Sequence, residues 1–170
     1  MSALLIFRLS GLIVLAFAMV PSVSAGQLLA PVSGPPHVIE KDLIEVGNKL
    51  FRLYAMDAPE KGHICEGKSR PYDFGWTATT GLMDLTAGVA QVMCYPKRSV
   101  RNGAVIAKFQ DPQGFDLSKQ MLRTRWALAL PDEDNVFHYI QQKVQIVKRG
   151  LWRGQVTPPW RWQGNATEIK

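Results

Sequence analysis

The ten residues FRLYAMDAPE, at positions 51–60, place an arginine inside an apolar run and two carboxylates directly after it. Guanidinium groups bind carboxylates and phosphates through paired hydrogen bonds, whereas paired carboxylates can hold a cation or move a proton. An arginine in an apolar strand is unusual unless it has a partner. One interpretation is therefore an ion pair of Arg52 with Asp57 or Glu60. The other is a functional site built from the same three groups.

The run that carries Arg52 has the pattern of a β-strand. Alternation places Phe51, Leu53 and Ala55 on one face, and Arg52, Tyr54 and Met56 on the other. The dipeptide Gly47-Asn48 separates this run from an earlier one and predicts a tight hairpin turn. Predicted strands cover 37–46, 49–56, 89–95 and 104–109, and predicted helices cover 74–85, the residues after a cap at Asp116, and 135–149.

Short antiparallel strands with inserted and trailing helices are typical of a small Greek-key barrel of the OB type. The predicted fold class is therefore α+β, a small five-stranded Greek-key β-barrel with about three helices. Such barrels commonly bind nucleic acid or sugars on one face. The net charge of +6 favours a polyanionic partner over an acidic protein or a free cation.

The N-terminal residues predict export. Arg8 precedes an apolar run from Leu12 to Val20, and Val23-Ser24-Ala25 has the small residues of a cleavage site. We predict a signal peptide over 1–25, a lead-in segment without regular structure over 26–36, the folded domain over 37–162 and a tail over 163–170. The mature protein is then expected to be periplasmic or secreted, monomeric and without a membrane span. A retained N-terminal anchor is the alternative.

The chain contains two cysteines, Cys65 and Cys94. In an oxidising compartment an even cysteine count in a small domain usually indicates a disulfide, so we predict a Cys65–Cys94 bridge. Zinc is disfavoured because the three histidines lack ligand spacing relative to these cysteines.

The segment 51–60 resembles the Phe-Arg-Leu…Asp-x-Pro-Glu signature of the staphylococcal nuclease (thermonuclease) family. The resemblance extends over about residues 36–162. Segment 38–46 precedes this signature in the family's order. The later segments that match the family's order are 88–94, 116–117, 126–127, 150–154 and a Pro-Trp tail at 159–161.

The resemblance implies an OB barrel that hydrolyses DNA and RNA phosphodiesters with calcium. By position in the motif, Asp42 and Asp57 would be the calcium ligands, since calcium takes oxygen donors. Glu60 would orient or deprotonate the attacking water, and Arg52 would bind the scissile phosphate and stabilise the charge that builds on it.

Two departures from the family pattern weaken the expected chemistry. Ala104 stands where the family has a second active-site arginine, a loss that costs roughly 100- to 1000-fold in rate at comparable sites. Arg101 could substitute only if the Asn102-Gly103 turn folds it back. The first strand reads Glu40-Lys41-Asp42-Leu43 in place of Asp-Gly-Asp-Thr, and alternation predicts that Lys41 points away from Asp42, so that its repulsion of calcium is moderate.

These residues leave several hypotheses open. The first is calcium-assisted hydrolysis of DNA or RNA by a secreted or periplasmic protein, and the second is a catalytically weakened relative that acts as a nucleic-acid-binding or envelope accessory module. An accessory role in envelope or exopolysaccharide metabolism is a third, weaker possibility, because OB barrels also hold oligosaccharides. His63, in the polar loop 58–71, is predicted to be solvent-exposed.

Overall fold

The computed structural model describes residues 30–63, 73–100, 103–153 and 157–161. The strands are β1 (Val32–Gly34), β2 (His37–Glu40), β3 (Leu43–Val46), β4 (Lys49–Leu53), β5 (Met56–Asp57), β6 (Val92–Ser99), β7 (Val105–Gln110) and β8 (Leu128–Ala129). The α-helices are α1 (Phe74–Thr86), α2 (Leu117–Arg123) and α3 (Asn135–Gln145), and 3₁₀ turns follow at Gly150–Arg153 and Pro159–Arg161. The α+β class is confirmed.

Two hairpins form where the sequence predicts them. Strands β3 and β4 pair antiparallel around Gly47 and Asn48, whose φ angles are 57° and 60°. Two consecutive positive φ values are typical of the turn that matches the twist of a β-hairpin. Strands β6 and β7 form the second antiparallel pair.

The hydrogen bonds between the described strands do not form the predicted closed barrel of five strands. The main sheet has six strands in the order β1-β6-β7-β4-β3-β2, with β4 parallel to β7, and β5 and β8 form a separate pair. Within the described ranges no strand pair joins the edges β1 and β2. The sheet nevertheless curls and brings β1 close to β3, although these strands are not neighbours in it. A Cβ added at Gly34 in β1 would lie 3.2 Å from Cγ1 of Val46 in β3.

Strand β1 falls inside the segment predicted to lack regular structure. Val32 and Gly34 pair with Cys94 and Val92 of β6. A three-residue edge strand has too short a pattern to be recognised from its own sequence, and here its pairing with β6 decides its conformation.

Each of the three α-helices in the described residues has an aspartate as its N-terminal cap. The side chains of Asp73, Asp116 and Asp134 accept hydrogen bonds from the backbone N–H groups of Trp76, Lys119 and Val136. This confirms the predicted cap at Asp116 and satisfies N–H groups that have no partner inside the helix. Helix α3 ends at Gln145, four residues earlier than predicted, and Lys148 has a φ of 48°, a conformation that cannot continue a right-handed helix.

The core lies between the curled sheet and the helices. Phe51 of β4 and Phe109 of β7 meet edge to face with ring centroids 6.0 Å apart, and both are fully buried. Leu82 of α1 and Met121 of α2 pack against the same core. Burial of such side chains contributes about 1.5–3 kcal/mol each, so this core fixes the strands that carry the charged residues.

No helix within the described residues is long and apolar enough to cross a membrane. The predicted signal peptide lies outside those residues. Cys94 is buried in β6 and forms no bond with another described residue, and burial raises the pKa of its thiol to about 12. Cys65 also lies outside the described residues, so the bridge stays a prediction.

Candidate functional site

Two local irregularities bring the charged residues together. Lys41 and Asp42 form a turn between β2 and β3, next to a register shift between Val38 and Glu40. In the turn between β4 and β5, Ala55 has a φ of 59°. Both interruptions break the strand alternation, and Met56 turns into the core although it was predicted to share the face of Arg52.

Lys41 is the central charge of the cluster. Its ammonium Nζ donates to Oδ1 of Asp57 at 2.7 Å and to the carbonyl oxygen of Ala58 at 2.6 Å. Oε1 of Glu60 lies 3.7 Å from the same nitrogen, and only 8% of the Lys41 side chain is exposed. The predicted orientation of Lys41 away from the acidic site is therefore wrong, because the turn at 41–42 replaces the alternation on which the prediction depended.

Arg52 pairs with two acidic residues that closely precede the neighbouring strand β3. Its Nη1 donates to Oδ1 of Asp42 at 2.6 Å, and its Nη2 lies 3.4 Å from Oε1 of Glu40. The prediction that Arg52 forms an ion pair is confirmed, but its partners are Asp42 and Glu40 and not Asp57 or Glu60. Strands β3 and β4 are hydrogen-bonded neighbours, and this adjacency sets the choice.

Burial and charge act in opposite directions on this pair. Burial raises the pKa of Asp42 above its ordinary value, and the cations of Lys41 and Arg52 only partly offset that rise. Burial lowers the pKa of Arg52, but Asp42 and Glu40 outweigh it and leave the pKa raised. Arg52 therefore stays cationic, and its charge-assisted hydrogen bond holds Asp42 in place.

The loop that carries Glu60 is fixed against the start of α1. Asp73 accepts from the N–H of Gly62 at 3.0 Å and from the N–H of Trp76 at 3.1 Å, which joins the loop to the helix. These backbone donors outweigh burial and lower the pKa of the Asp73 carboxyl. The side chain of Glu60 is 62% exposed, which makes it the most accessible of the three acidic residues predicted for the site.

A cleft of about 230 Å³ opens beside this loop. Its lining residues are Glu40, Lys41, Glu60, Lys61, Gly75 and Thr79. Glu60 faces the cleft, whereas Asp42, Arg52 and Asp57 are not among its lining residues. The structure therefore brings the four predicted residues into one cluster, but Lys41 lies between the carboxylates.

Two positions were predicted to decide whether the site has a second arginine, and the structure describes one of them. Ala104 is buried directly before β7, with 2% of its surface exposed. Arg101 lies outside the described residues, so its predicted role as a substitute phosphate contact stays a prediction.

His63 is buried, and its predicted exposure is wrong. It stacks edge to face with Phe74, with ring centroids 6.4 Å apart. Burial, with a smaller contribution from the charge of Lys41, lowers the pKa of its imidazole. The contact with α1 was not visible in the sequence because residues 64–72 separate His63 from the helix.

The donor set does not fit a calcium ion. Calcium requires six to eight oxygen ligands, yet the oxygens of Asp57 and Ala58 are bonded to the ammonium of Lys41, and that of Asp42 to Arg52. Among the described residues no group of three or more histidine, cysteine, aspartate or glutamate side chains is arranged to hold a metal. An ammonium at this place also repels a divalent cation.

Sequence reasoning missed Lys41 as a member of the site. The signal was the polar triplet Glu40-Lys41-Asp42 between two apolar runs, which indicates a break in the strand. A four-carbon side chain can reach from such a break to a neighbouring loop.

No family model matches this chain. It is similar to the succinoglycan biosynthesis protein ExoI of Rhizobium meliloti (strain 1021), with 24% identity over 128 residues. The match covers 74% of this chain and 66% of that protein, just under two thirds of its length.

Proposed function

We propose that this protein is a catalytically weakened relative of the staphylococcal nuclease family that binds nucleic acid without efficient calcium-assisted hydrolysis. The observation that carries the proposal is the ammonium of Lys41, held by oxygens of Asp57 and Ala58 and close to Glu60. A positive charge in this position competes with a metal ion for the same oxygens.

The rest of the cluster supports weakened catalysis. Glu60 retains an exposed carboxylate, but it forms an ion pair with the ammonium of Lys41, 3.7 Å away. Ala104 carries no charge where the family has an arginine. Hydrolysis would therefore lack both an accessible cation site and one of two groups that stabilise transition-state charge.

Binding requires less of the site than catalysis does. The Arg52 side chain is 27% exposed, so a phosphate can compete with Glu40 for the outer guanidinium nitrogen. The net charge of +6 adds long-range attraction to a polyanion. The curled sheet supports the finer assignment to a Greek-key barrel of the OB type. We further propose that the mature protein is monomeric and periplasmic or secreted.

The first experiment measures nucleotide release from single-stranded DNA with calcium and with a chelator. Wild type, Glu60→Gln, Lys41→Gly and the double variant Lys41→Gly/Ala104→Arg are compared, with Lys49→Gly as the matched control for loss of a lysine. We expect calcium-dependent release only after Lys41 is removed, and most in the double variant. Efficient release by wild type that is lost in Glu60→Gln would overturn the weakened-enzyme proposal and restore calcium-assisted hydrolysis.

The second experiment measures binding of a short oligothymidylate by fluorescence anisotropy. We expect equal affinity with calcium and with chelator, a steep fall of affinity with salt, and about tenfold weaker binding in Arg52→Met. Arg123→Met, on an exposed position of α2, is the matched control. If wild type shows no salt-dependent binding of oligothymidylate, the proposal that it binds nucleic acid is wrong.

The similarity to ExoI favours a second candidate, an accessory role in exopolysaccharide biosynthesis. A module of this kind would bind the polysaccharide and not a polynucleotide. Binding of purified exopolysaccharide, together with no salt-dependent binding of oligothymidylate, would favour this candidate over the first.

A further inference from the structure

Helix α3 carries exposed apolar side chains next to the ones that it buries in the core. Phe137 and Ile140 are buried in the core, as expected for an amphipathic helix. Beside this buried face, Val136 is 48% exposed and Tyr139 is 60% exposed, and just beyond the helix Ile146 is 77% exposed and Val147 is 45% exposed. We call the surface formed by Val136, Tyr139, Lys143, Ile146 and Val147 the α3 outer face.

These residues share one side of the helix. At 100° per residue, positions 136, 139, 143, 146 and 147 project within about a third of a turn of one another, and buried Ile140 borders this arc on the core side. Single exposed apolar residues are ordinary, but a contiguous stripe of them needs a reason.

Three acidic residues, Asp132, Glu133 and Asp134, directly precede α3, and Glu133 and Asp134 form ion pairs with Arg98 and Lys108. After these residues the charge along the chain has one sign. Between Asp134 and Glu168 the sequence contains no acidic residue. The same stretch contains the exposed basic residues Lys143, Lys148, Arg149, Arg153 and Arg161. None of these takes part in an ion pair between described residues. Their charge is thus available to a partner with negative charge.

The composition of the face distinguishes between two negative partners. Single-stranded nucleic acid is held by aromatic rings on which bases stack, whereas three of the four apolar residues here are aliphatic. The one ring, that of Tyr139, has the Lys143 ammonium 5.3 Å from its centroid, which covers a ring face that a base would need. Aliphatic side chains flanked by lysine and arginine are instead typical of helices that lie at an anionic bilayer surface.

We propose that the α3 outer face docks this protein on an anionic lipid bilayer. Ile146, Val147 and Val136 enter the boundary between headgroups and acyl chains, and Lys143, Lys148 and Arg149 contact the lipid phosphates. The proposal is independent of the site around Lys41, because it uses a different element and different residues.

The test is sedimentation of the mature chain with vesicles of phosphatidylglycerol and phosphatidylcholine, compared with vesicles of phosphatidylcholine alone. We expect binding to the anionic vesicles only, weakened at least about tenfold when salt is raised from low to high ionic strength. The variant Ile146→Ser/Val147→Ser should bind about tenfold more weakly, since less apolar surface enters the bilayer. In low salt, Lys143→Glu should weaken vesicle binding more than Ile146→Ser/Val147→Ser does.

Leu50→Ser, at an exposed apolar residue on the β3–β4 hairpin, and Lys49→Glu, at an exposed lysine beside it, are the matched controls and should leave vesicle binding unchanged. Thermal unfolding of each variant verifies that it folds. No sedimentation with anionic vesicles, or equal losses in the control variants, would overturn the proposal. So would a loss of oligothymidylate binding in Ile146→Ser/Val147→Ser with vesicle binding intact, because the face would then be a nucleic-acid surface.

Discussion

Gly75, in the first turn of α1, lies directly against the backbone of Glu60. A Cβ added at Gly75 would overlap the carbonyl carbon and oxygen of Glu60 and the nitrogen of Lys61. The absence of a side chain at position 75 thus allows the helix to support the loop that carries the exposed carboxylate. This contact couples the packing of α1 to the position of Glu60 at the cleft.

Gly75→Ala is expected to lower the free energy of unfolding by about 3 kcal/mol, because the added methyl group meets backbone that cannot rotate away. Urea unfolding monitored by circular dichroism measures the change. Gly81→Ala is the control, since its Cβ would meet the Trp126 side chain, at 2.7 Å, which can adjust. A larger loss at Gly81 than at Gly75 would contradict the proposed support of the loop.

Removal of the Lys41 charge should destabilise the fold. Lys41→Met leaves the largely buried Asp57 carboxylate without its cation, at a cost of about 3 kcal/mol. Asp57→Asn alone leaves the Lys41 ammonium without this carboxylate partner. The double variant Lys41→Met/Asp57→Asn should lose less free energy of unfolding than the sum of the two single-variant losses, with a coupling energy of about 2 kcal/mol. Chemical denaturation of the four proteins provides this cycle. Lys49→Met, at an exposed lysine, should change stability by less than about 0.5 kcal/mol. Additive losses would mean that the two groups do not interact.

Stability should depend on pH through His63. Its pKa is lowered from the ordinary value of 6.5, mainly by burial, so the folded protein binds the proton less well than the unfolded chain. The stabilising contribution is therefore complete above pH 6.5 and is lost as pH falls through the folded-state pKa, with a slope of at most about 1.4 kcal/mol per pH unit.

Unfolding free energies of wild type and His63→Gln across mildly acidic pH measure this contribution. The difference between the two curves should shrink as pH falls, whereas His37→Gln, at an exposed position, should follow wild type. Asp42 has a raised pKa and contributes with the opposite sign at lower pH, so the comparison of variants separates the two groups. Parallel curves for wild type and His63→Gln would show that burial does not perturb this imidazole.

The predicted Cys65–Cys94 bridge is tested by alkylation and mass measurement. Protein denatured without reductant should take up no iodoacetamide, and protein denatured after reduction should take up two equivalents. In reduced but folded protein Cys94 should remain unreactive, because burial raises the pKa of its thiol to about 12. Uptake of two equivalents without reductant would exclude the bridge.

Local sequence signals predicted many of the elements. The turn at Gly47-Asn48 and the cap at Asp116 lie where predicted, because positive φ angles and side-chain caps depend on a few neighbouring residues. Strand β1 was missed and α3 was predicted too long. In the first case pairing with a distant strand decides the structure, and in the second the chain turns at Val147 and Lys148 although the apolar spacing continues.

The sequence by itself determined which charged groups lie near the ends of β2, β4 and β5, since chain order and hairpin geometry place them there. Only the tertiary structure decided their partners. Arg52 pairs with Asp42 because β3 and β4 are adjacent, and Lys41 reaches Asp57 because a turn redirects its side chain toward the end of β5, 16 residues away. Ion pairing depends on distances of a few ångströms between atoms that are remote in sequence, and no local pattern of residues encodes such distances.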